Sequence, residues 1–437
     1  MSAAHKKRRS LFPAEPPGGE RGPFSPRRWR SPLRGPWLTS VFGSILLVAI
    51  PVEFVTGLVS YAAYNPRLNG NDQTPNHGIL GFYLFNWVTS PSWIYRFSQG
   101  IHVMLGLALV PIVAAKLWSV LPKLFAWPPL RSVAQLLERV SLLALVGGIV
   151  FELATGILNI NYDYSFKFSF YDGHFFGAWI FIAGFSVHAA LKTPTMVRAL
   201  RSRRLRSELA TSLADTVPEP LDASGLVAVN PAPPTVSRRG ALALVGASSL
   251  AVVVLTAGAT VGGVFRKTAL LSPRGRSYGN GPNDFQVNRT AQVAGISAVE
   301  TGDSWRLELV GSRTVSFSRE QLLAMQQVGD HLPIACVEGW STVQHWSGVP
   351  LRTLAGLAGS DHPKQARVES LERGGAFATA TLSGDQVAAS ASLLALKVNG
   401  ADLSPDHGFP ARLVIPAAPG VHNTKWVRRI TFDEGTS

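Results

Sequence analysis

The sequence predicts a multidomain chain: an all-α transmembrane four-helix bundle, one further transmembrane helix, then an α+β domain. Three observations predict it. Hydrophobic residues make up 46% of the chain and charged residues 16%, a balance that leans toward a membrane protein. Four apolar stretches, near Trp37–Tyr61, Ile101–Leu121, Leu136–Asn159 and Phe175–Leu191, are each long enough to span a bilayer, and a fifth, Ala241–Val264, follows a polar linker. After residue 283 the texture turns soluble, with short strand-like and helix-like segments over roughly 155 residues, enough for one mixed domain.

The segments follow in order. Residues 1–36, rich in Pro, Arg and Gly, read as a disordered basic cytoplasmic tail. Residues 37–192 hold the four spans, 193–237 a Pro-containing cytoplasmic linker, 238–264 the fifth span and 265–282 an Arg/Gly/Pro-rich tether to the domain at 283–437. The net charge of +14 is unevenly spread: the tail carries nine Lys/Arg against two acids and residues 192–239 eight against four, whereas the loops 65–96 and 161–172 carry only Arg67, Arg96 and Lys167 as basic residues. This is the positive-inside pattern, and it predicts a cytoplasmic N-terminus in the cell membrane and an extracytoplasmic C-terminal domain. It leaves no basic face with interleaved aromatics, so nucleic acid is not an expected partner. Ser237-Arg238-Arg239-Gly240 ahead of the Ala/Gly-rich fifth span looks like an internal twin-arginine (Tat) export signal, although an ordinary positive flank has the same residues. The Tat reading implies a cofactor in the domain that follows. In that domain, Ser304–Val310, Leu393–Asn399 and Ala411–Ile415 read as strands, Arg319–Gln327 as a short helix, and Asn399-Gly400 as a hairpin turn.

Polar side chains inside a span are costly and mark function. His102 lies early in the second span, and His174 and His188 lie at opposite ends of the fourth. The last two are 14 residues apart, so they share one helix face about 21 Å apart. Measured back from Lys116 and Lys192, His102 and His174 differ in depth by four residues, about 6 Å, while His188 lies about 15 Å from the level of His102. His102 with His174 is therefore the expected axial pair for a haem b. His188 either serves a second haem or replaces His174 if the helices are offset. An internal echo, Glu53-x-x-Thr56-Gly57 and Glu152-x-x-Thr155-Gly156, suggests a repeated two-helix unit. Its glutamates suit either hydrogen bonding to Thr or an imidazole, or proton handling at a quinone site. The four spans resemble the bis-histidine cytochrome b membrane anchors.

One cysteine, Cys336, occurs in the chain. An internal disulfide is excluded, and an inert thiol, a nucleophile and a metal ligand remain. It sits in Cys336-Val337-Glu338-Gly339-Trp340-Ser341, followed by Trp346-Ser347-Gly348-Val349-Pro350-Leu351 and later by His407-Gly408-Phe409-Pro410-Ala411-Arg412 and Lys425-Trp426. These strings resemble the sulfite-oxidase-fold molybdopterin enzymes, most of all the periplasmic type that reduces methionine sulfoxide. The resemblance implies Cys336 as a catalytic thiolate on molybdenum, a soft ligand for a high-valent metal. It implies Arg412 and Lys425 on the pterin phosphate, with His407, Asn423, Thr424, Asn288 and Ser370 as further cofactor contacts. His331 and His345 are near Cys336 in sequence and suit either the pocket or the surface. Sulfite oxidases proper place an arginine just after the metal cysteine; Val337-Glu338-Gly339-Trp340 has none, which favours a neutral sulfoxide-type substrate over an oxyanion.

The resulting expectation is a membrane oxidoreductase with molybdenum-molybdopterin and one haem b, or two, that exchanges electrons with membrane quinone and transfers an oxygen atom, with sulfoxide reduction favoured. Sulfite-type substrate oxidation, a haem-only electron carrier with an external binding domain, and a cofactor-free adhesion or sensor module are the rival readings.

Overall fold

The computed structural model describes residues 17–19, 22–65, 68, 85–127, 133–161, 164–222, 224–274 and 278–434. Residues 1–16 of the basic tail and Arg67 lie outside them. Among the described residues, five helical spans are long and apolar enough to cross a membrane. They are α1 (Pro36–Ala63), α2 (Ile94–Leu124), α3 (Val133–Ile160), α4 (Phe170–Ser202) and, beyond the short α5 (Leu205–Ala210) in the linker, α6 (Arg238–Thr256) continued by α7 (Gly258–Val261). The helices overrun the apolar stretches. α2 starts seven residues before Ile101, and α4 continues past Leu191 to Ser202. Hydropathy marks the stretch that matches the bilayer core, whereas backbone hydrogen bonding carries a helix on through polar and aromatic ends.

The C-terminal domain is α+β, built on two sheets. One has the order β2-β1-β10-β5-β6, from β1 (Leu307–Val310), β2 (Thr314–Phe317), β5 (Gln365–Ser370), β6 (Thr379–Ser383) and β10 (Val427–Asp433). The pair β1–β10 is parallel and the others antiparallel. The second sheet runs β3 (Val328–Ala335), β4 (Ser341–Pro350), β7 (Leu393–Val398), β8 (Ala401–Asp402), with β9 (Arg412–Val414) also on β7. Helices α8 (Arg319–Ala324) and α10 (Gly384–Ala388) begin at capping boxes, Ser318 with Gln321 and Ser383 with Gln386, which satisfy otherwise orphaned amides. α9 (Leu351–Leu357) buries Leu351, Leu354 and Ala355. The β7–β8 turn is Asn399-Gly400, with φ of 50° and 84°, the left-handed pair that a two-residue hairpin needs.

Strand β7 shows how the sequence splits the core. Leu394 and Leu396 join a cluster with Leu307, Leu309, Val368 and Ile430, while Leu393 and Ala395 join Leu332, Ile334, Trp340 and Trp346. Alternate side chains leave opposite faces of a strand, so the second sheet packs on the first with one face and supports the Cys336 loop with the other.

By its contacts the chain divides into two compact units, one of residues 1–52, 106–154 and 176–252, the other of residues 53–105, 155–175 and 253–437. The second joins the His102 end of α2 and the His174 end of α4 to the whole C-terminal domain.

Candidate active site

Strand β3 ends at Ala335, and Cys336 is the first residue beyond it. The chain turns at once: Gly339 N donates to the Cys336 carbonyl at 3.0 Å, and Cys336 N to the Trp340 carbonyl at 2.9 Å, before β4 begins at Ser341. Gly339 has a φ of +88°, a region that side chains beyond glycine rarely enter. Glu338 is gripped by Arg274, whose Nε donates at 2.8 Å, and by the Trp340 indole at 2.9 Å. The sequence places no arginine beside Cys336; the fold brings one from the tether and neutralises it on Glu338.

Behind the loop lies a cleft lined by Cys336 together with Asn288, His407, Arg412, Asn423, Thr424 and Lys425. Seven of the residues singled out from the sequence thus converge on one cavity. Ser370 is not among its lining residues; its hydroxyl donates to the Lys425 carbonyl at 2.8 Å and braces the lysine from behind. His331 and His345 face each other across β3 and β4, ring centroids 4.9 Å apart, away from the cleft lining. The cleft also holds residues that local sequence did not point to. Phe285 stacks on His407 at 3.7 Å, and Arg289 pairs with Glu372 at 2.9 Å. Both contacts join segments far apart in the chain, which no local pattern encodes.

The electrostatics are those of an anion site. Arg412 and Lys425 are 4% and 9% exposed. Their donors reach backbone carbonyls: Arg412 those of His407 and Asn423 at 3.2 and 3.1 Å, Lys425 those of Arg289 and Asp406 at 2.7 Å each. Burial pushes the guanidinium down to about 9, and burial with Arg412 nearby holds the lysine well below its ordinary value. His407 donates through Nε2 to the Asn283 carbonyl at 2.9 Å, and burial, then the two cations, lower it to about 3, so it is neutral. Burial, and Glu338 after it, raises the Cys336 thiol, which favours its protonated form. Arg412 Nε and Thr424 Oγ1 are buried without a hydrogen-bond partner among the described residues. Two buried cations and two unsatisfied polar atoms around a thiol fit the molybdopterin group, whose phosphate supplies the missing acceptors and whose metal takes the sulfur.

In the same compact unit, His102 and His174 lie with ring centroids 6.1 Å apart and planes at 86°. With metal–nitrogen bonds of about 2.0 Å, this is close to the separation of two imidazoles on opposite sides of one iron. His102 Nδ1 lies 3.0 Å from the Glu53 carbonyl, which only accepts, so Nδ1 carries the hydrogen and Nε2 the lone pair. The Thr56 hydroxyl is 3.2 Å from the same nitrogen and the Glu53 carboxylate 3.5 Å. Thr155 bonds His174 Nδ1 at 2.9 Å. The internal echo therefore has a physical meaning: each threonine holds a histidine of the next helix, and each glycine leaves room for its ring, Gly57 beside His102 and Gly156 beside His174. His188, four turns farther along α4, falls in the other unit.

One comparison with known proteins falls on the C-terminal domain. The model of the family described as "Oxidoreductase molybdopterin binding domain" matches residues 294–437. The protein-methionine-sulfoxide reductase catalytic subunit MsrP of Gluconobacter oxydans is 34% identical over 29% of this chain and 46% of its own. The putative protein-methionine-sulfoxide reductase subunit YedZ1 of Azospira oryzae is 31% identical over 29% of this chain and 48% of its own. The chain spans less than half the length of these two relatives. The uncharacterized oxidoreductase YuiH of Bacillus subtilis is 34% identical over 35% of this chain, and there 76% of the relative is covered. On that footing the chain belongs to the oxidoreductases that carry a molybdopterin binding domain, and it is an enzyme.

Proposed function

We propose that the protein is a membrane-bound molybdenum oxidoreductase that reduces a sulfoxide-type substrate with electrons drawn from membrane quinol through haem b. The balanced reaction is quinol plus sulfoxide giving quinone, sulfide and water, a transfer of two electrons and two protons. Molybdenum chelated by the pterin supplies the oxygen-atom exchange. Cys336 would hold the metal through sulfur, Arg412 and Lys425 the phosphate, and His407, Asn288 and Thr424 the pterin. Ser370 would keep Lys425 in place. His102 and His174 would hold the haem through Nε2, with Glu53, Thr56 and Thr155 orienting the rings.

The observation that carries this reading is that one compact unit of a single chain contains both the cation-lined cysteine cleft and a histidine pair at iron-bridging separation. The names of two relatives, a catalytic subunit and a subunit of protein-methionine-sulfoxide reductases, favour sulfoxide reduction over substrate oxidation. The absence of an arginine just after Cys336 and the neutralisation of Arg274 by Glu338 favour a neutral substrate. The positive-inside charge distribution supports an extracytoplasmic catalytic domain in the cell membrane, with Arg238-Arg239 suited to Tat export.

Metal, pterin and haem analysis of detergent-purified protein from molybdate-supplied cells tests the reading. Molybdenum near one per chain is expected, with a reduced-minus-oxidised haem spectrum that His102→Ala and His174→Ala abolish and His188→Ala keeps. Protein without molybdenum overturns the catalytic part. Loss of haem in His188→Ala with retention in His174→Ala overturns the pairing.

A further inference from the structure

The Cys336 loop has two flanks. One faces the cleft. The other is covered by helices that the sequence assigns to the membrane. Gln99 of α2, 3% exposed, donates to the Val337 carbonyl at 2.8 Å while its oxygen accepts from Ser60 of α1 at 2.7 Å. Arg96 donates to the Ser341 hydroxyl at 2.8 Å, and the Thr260 hydroxyl of α7 to the Gly339 carbonyl. Two glycines record how close the helix lies. A Cβ on Gly339 would meet Val103 at 2.6 Å, and one on Gly100 would meet Thr260 at the same distance. Beside this clamp, Tyr64 and Tyr95, 2% and 1% exposed, pack with Trp87 on Ala335 and Val421. The His422 ring lies 5.9 Å from that of Tyr64, 2% exposed, with neither ring nitrogen hydrogen-bonded among the described residues.

We propose that α1, α2 and α7 form a fixed roof over the Cys336 site, so that it takes a low-molecular-weight oxo-compound, such as a free sulfoxide or an N-oxide, rather than a sulfoxide borne on a protein. The substrate chemistry rests on the function proposed above; the roof does not. Under that reading the pterin occupies the cleft, and the other flank of the loop lies under helices about 10 Å thick with their side chains. A side chain on a polypeptide must bring its backbone with it and would have to displace a helix. Displacement would break the Gln99, Arg96 and Thr260 hydrogen bonds and strand buried donors and acceptors. A molecule with no backbone to bring along needs no such opening.

The lone cysteine makes the roof measurable. In full-length, detergent-solubilised protein made without molybdate and loaded with metal-free pterin, which fills the cleft, thiol labelling reads Cys336 alone and from the roofed flank. Methyl methanethiosulfonate is expected to outpace a polyethylene-glycol-linked methanethiosulfonate by at least about 100-fold more than it does on free cysteine, and the double variant Arg96→Ala, Gln99→Leu to narrow that gap at least about tenfold. A wild-type ratio equal to that of free cysteine overturns the roof. In molybdenum-loaded protein reduced by a viologen dye, free methionine sulfoxide is expected to exceed a methionine-oxidised protein in kcat/KM by at least about tenfold, and equal values overturn the substrate assignment. Turnover of neither compound by loaded protein sinks the sulfoxide reading, and the labelling ratio then decides the roof by itself.

Discussion

The cysteine cleft and the histidine pair lie in one compact unit and are organised by opposite means. The cleft concentrates charge: Arg412 and Lys425 are buried, and backbone carbonyls supply much of their compensation. Burying a cation is unfavourable unless something of opposite charge offsets it, so the cleft is an electrostatic template for an anionic ligand. The histidine pair is organised by hydrogen bonds at Nδ1, which His102 donates to a carbonyl and His174 shares with a hydroxyl. It selects by distance and ring orientation. The two sites should therefore respond differently to substitution: the cleft to lost charge or lost sulfur, the pair to lost geometry.

Cys336→Ser tests that contrast most sharply. Oxygen-transfer turnover should fall by at least about 10³-fold, while the haem difference spectrum is unchanged. A parallel loss of haem would show that the two sites do not assemble independently. Arg412→Gln removes a buried charge and its fork, and pterin occupancy, measured by fluorescence of the oxidised pterin, should fall about 10- to 100-fold. Arg412→Lys should fall between, because it keeps charge without the fork. On the helix side Thr155→Val leaves charge untouched but frees the His174 ring, and haem affinity should drop about tenfold with molybdenum content constant.

A pH dependence of stability, read by unfolding rather than by turnover or cofactor content, belongs to the cleft domain. His407 and His422 are buried and neutral, held down to about 3 and about 4, chiefly by desolvation. Their unfolded forms take up a proton near pH 6.5, so the unfolded state binds more protons below that pH. The stability they contribute is complete above about pH 6.5 and is lost as pH falls toward about 4 and then 3, by up to about 1.4 kcal/mol per pH unit for each histidine. Denaturant midpoints measured from pH 7 to 4 should fall accordingly, and His407→Gln should flatten the slope.

Much of this architecture is legible along the chain. Span length and hydropathy are one-dimensional properties, so the five spans are readable even though α2 and α4 extend beyond them. The Asn399-Gly400 turn is legible because two left-handed residues need those side chains. Cys336, Arg412 and Lys425 are legible because the motif pins residue types at fixed intervals. Arg274 is not, since it lies in what reads as a tether and reaches Glu338 across 64 positions. Nor is the Phe285 stack on His407, or the use of Gln99 to hold the Val337 carbonyl.

The echoed Glu-x-x-Thr-Gly segments show where the boundary falls. Their repetition is visible in the sequence, but which atoms the threonines hold is settled only where α1 meets α2 and α3 meets α4. By itself the sequence determined which segments are helical spans, which end is basic and which residues can ligate a metal, because these follow from composition and local spacing. Only the tertiary structure decided that the histidine rings meet, that the cations converge on one cleft and that a helix covers the cysteine loop, because each is a contact between segments whose separation along the chain carries no information about their distance in space.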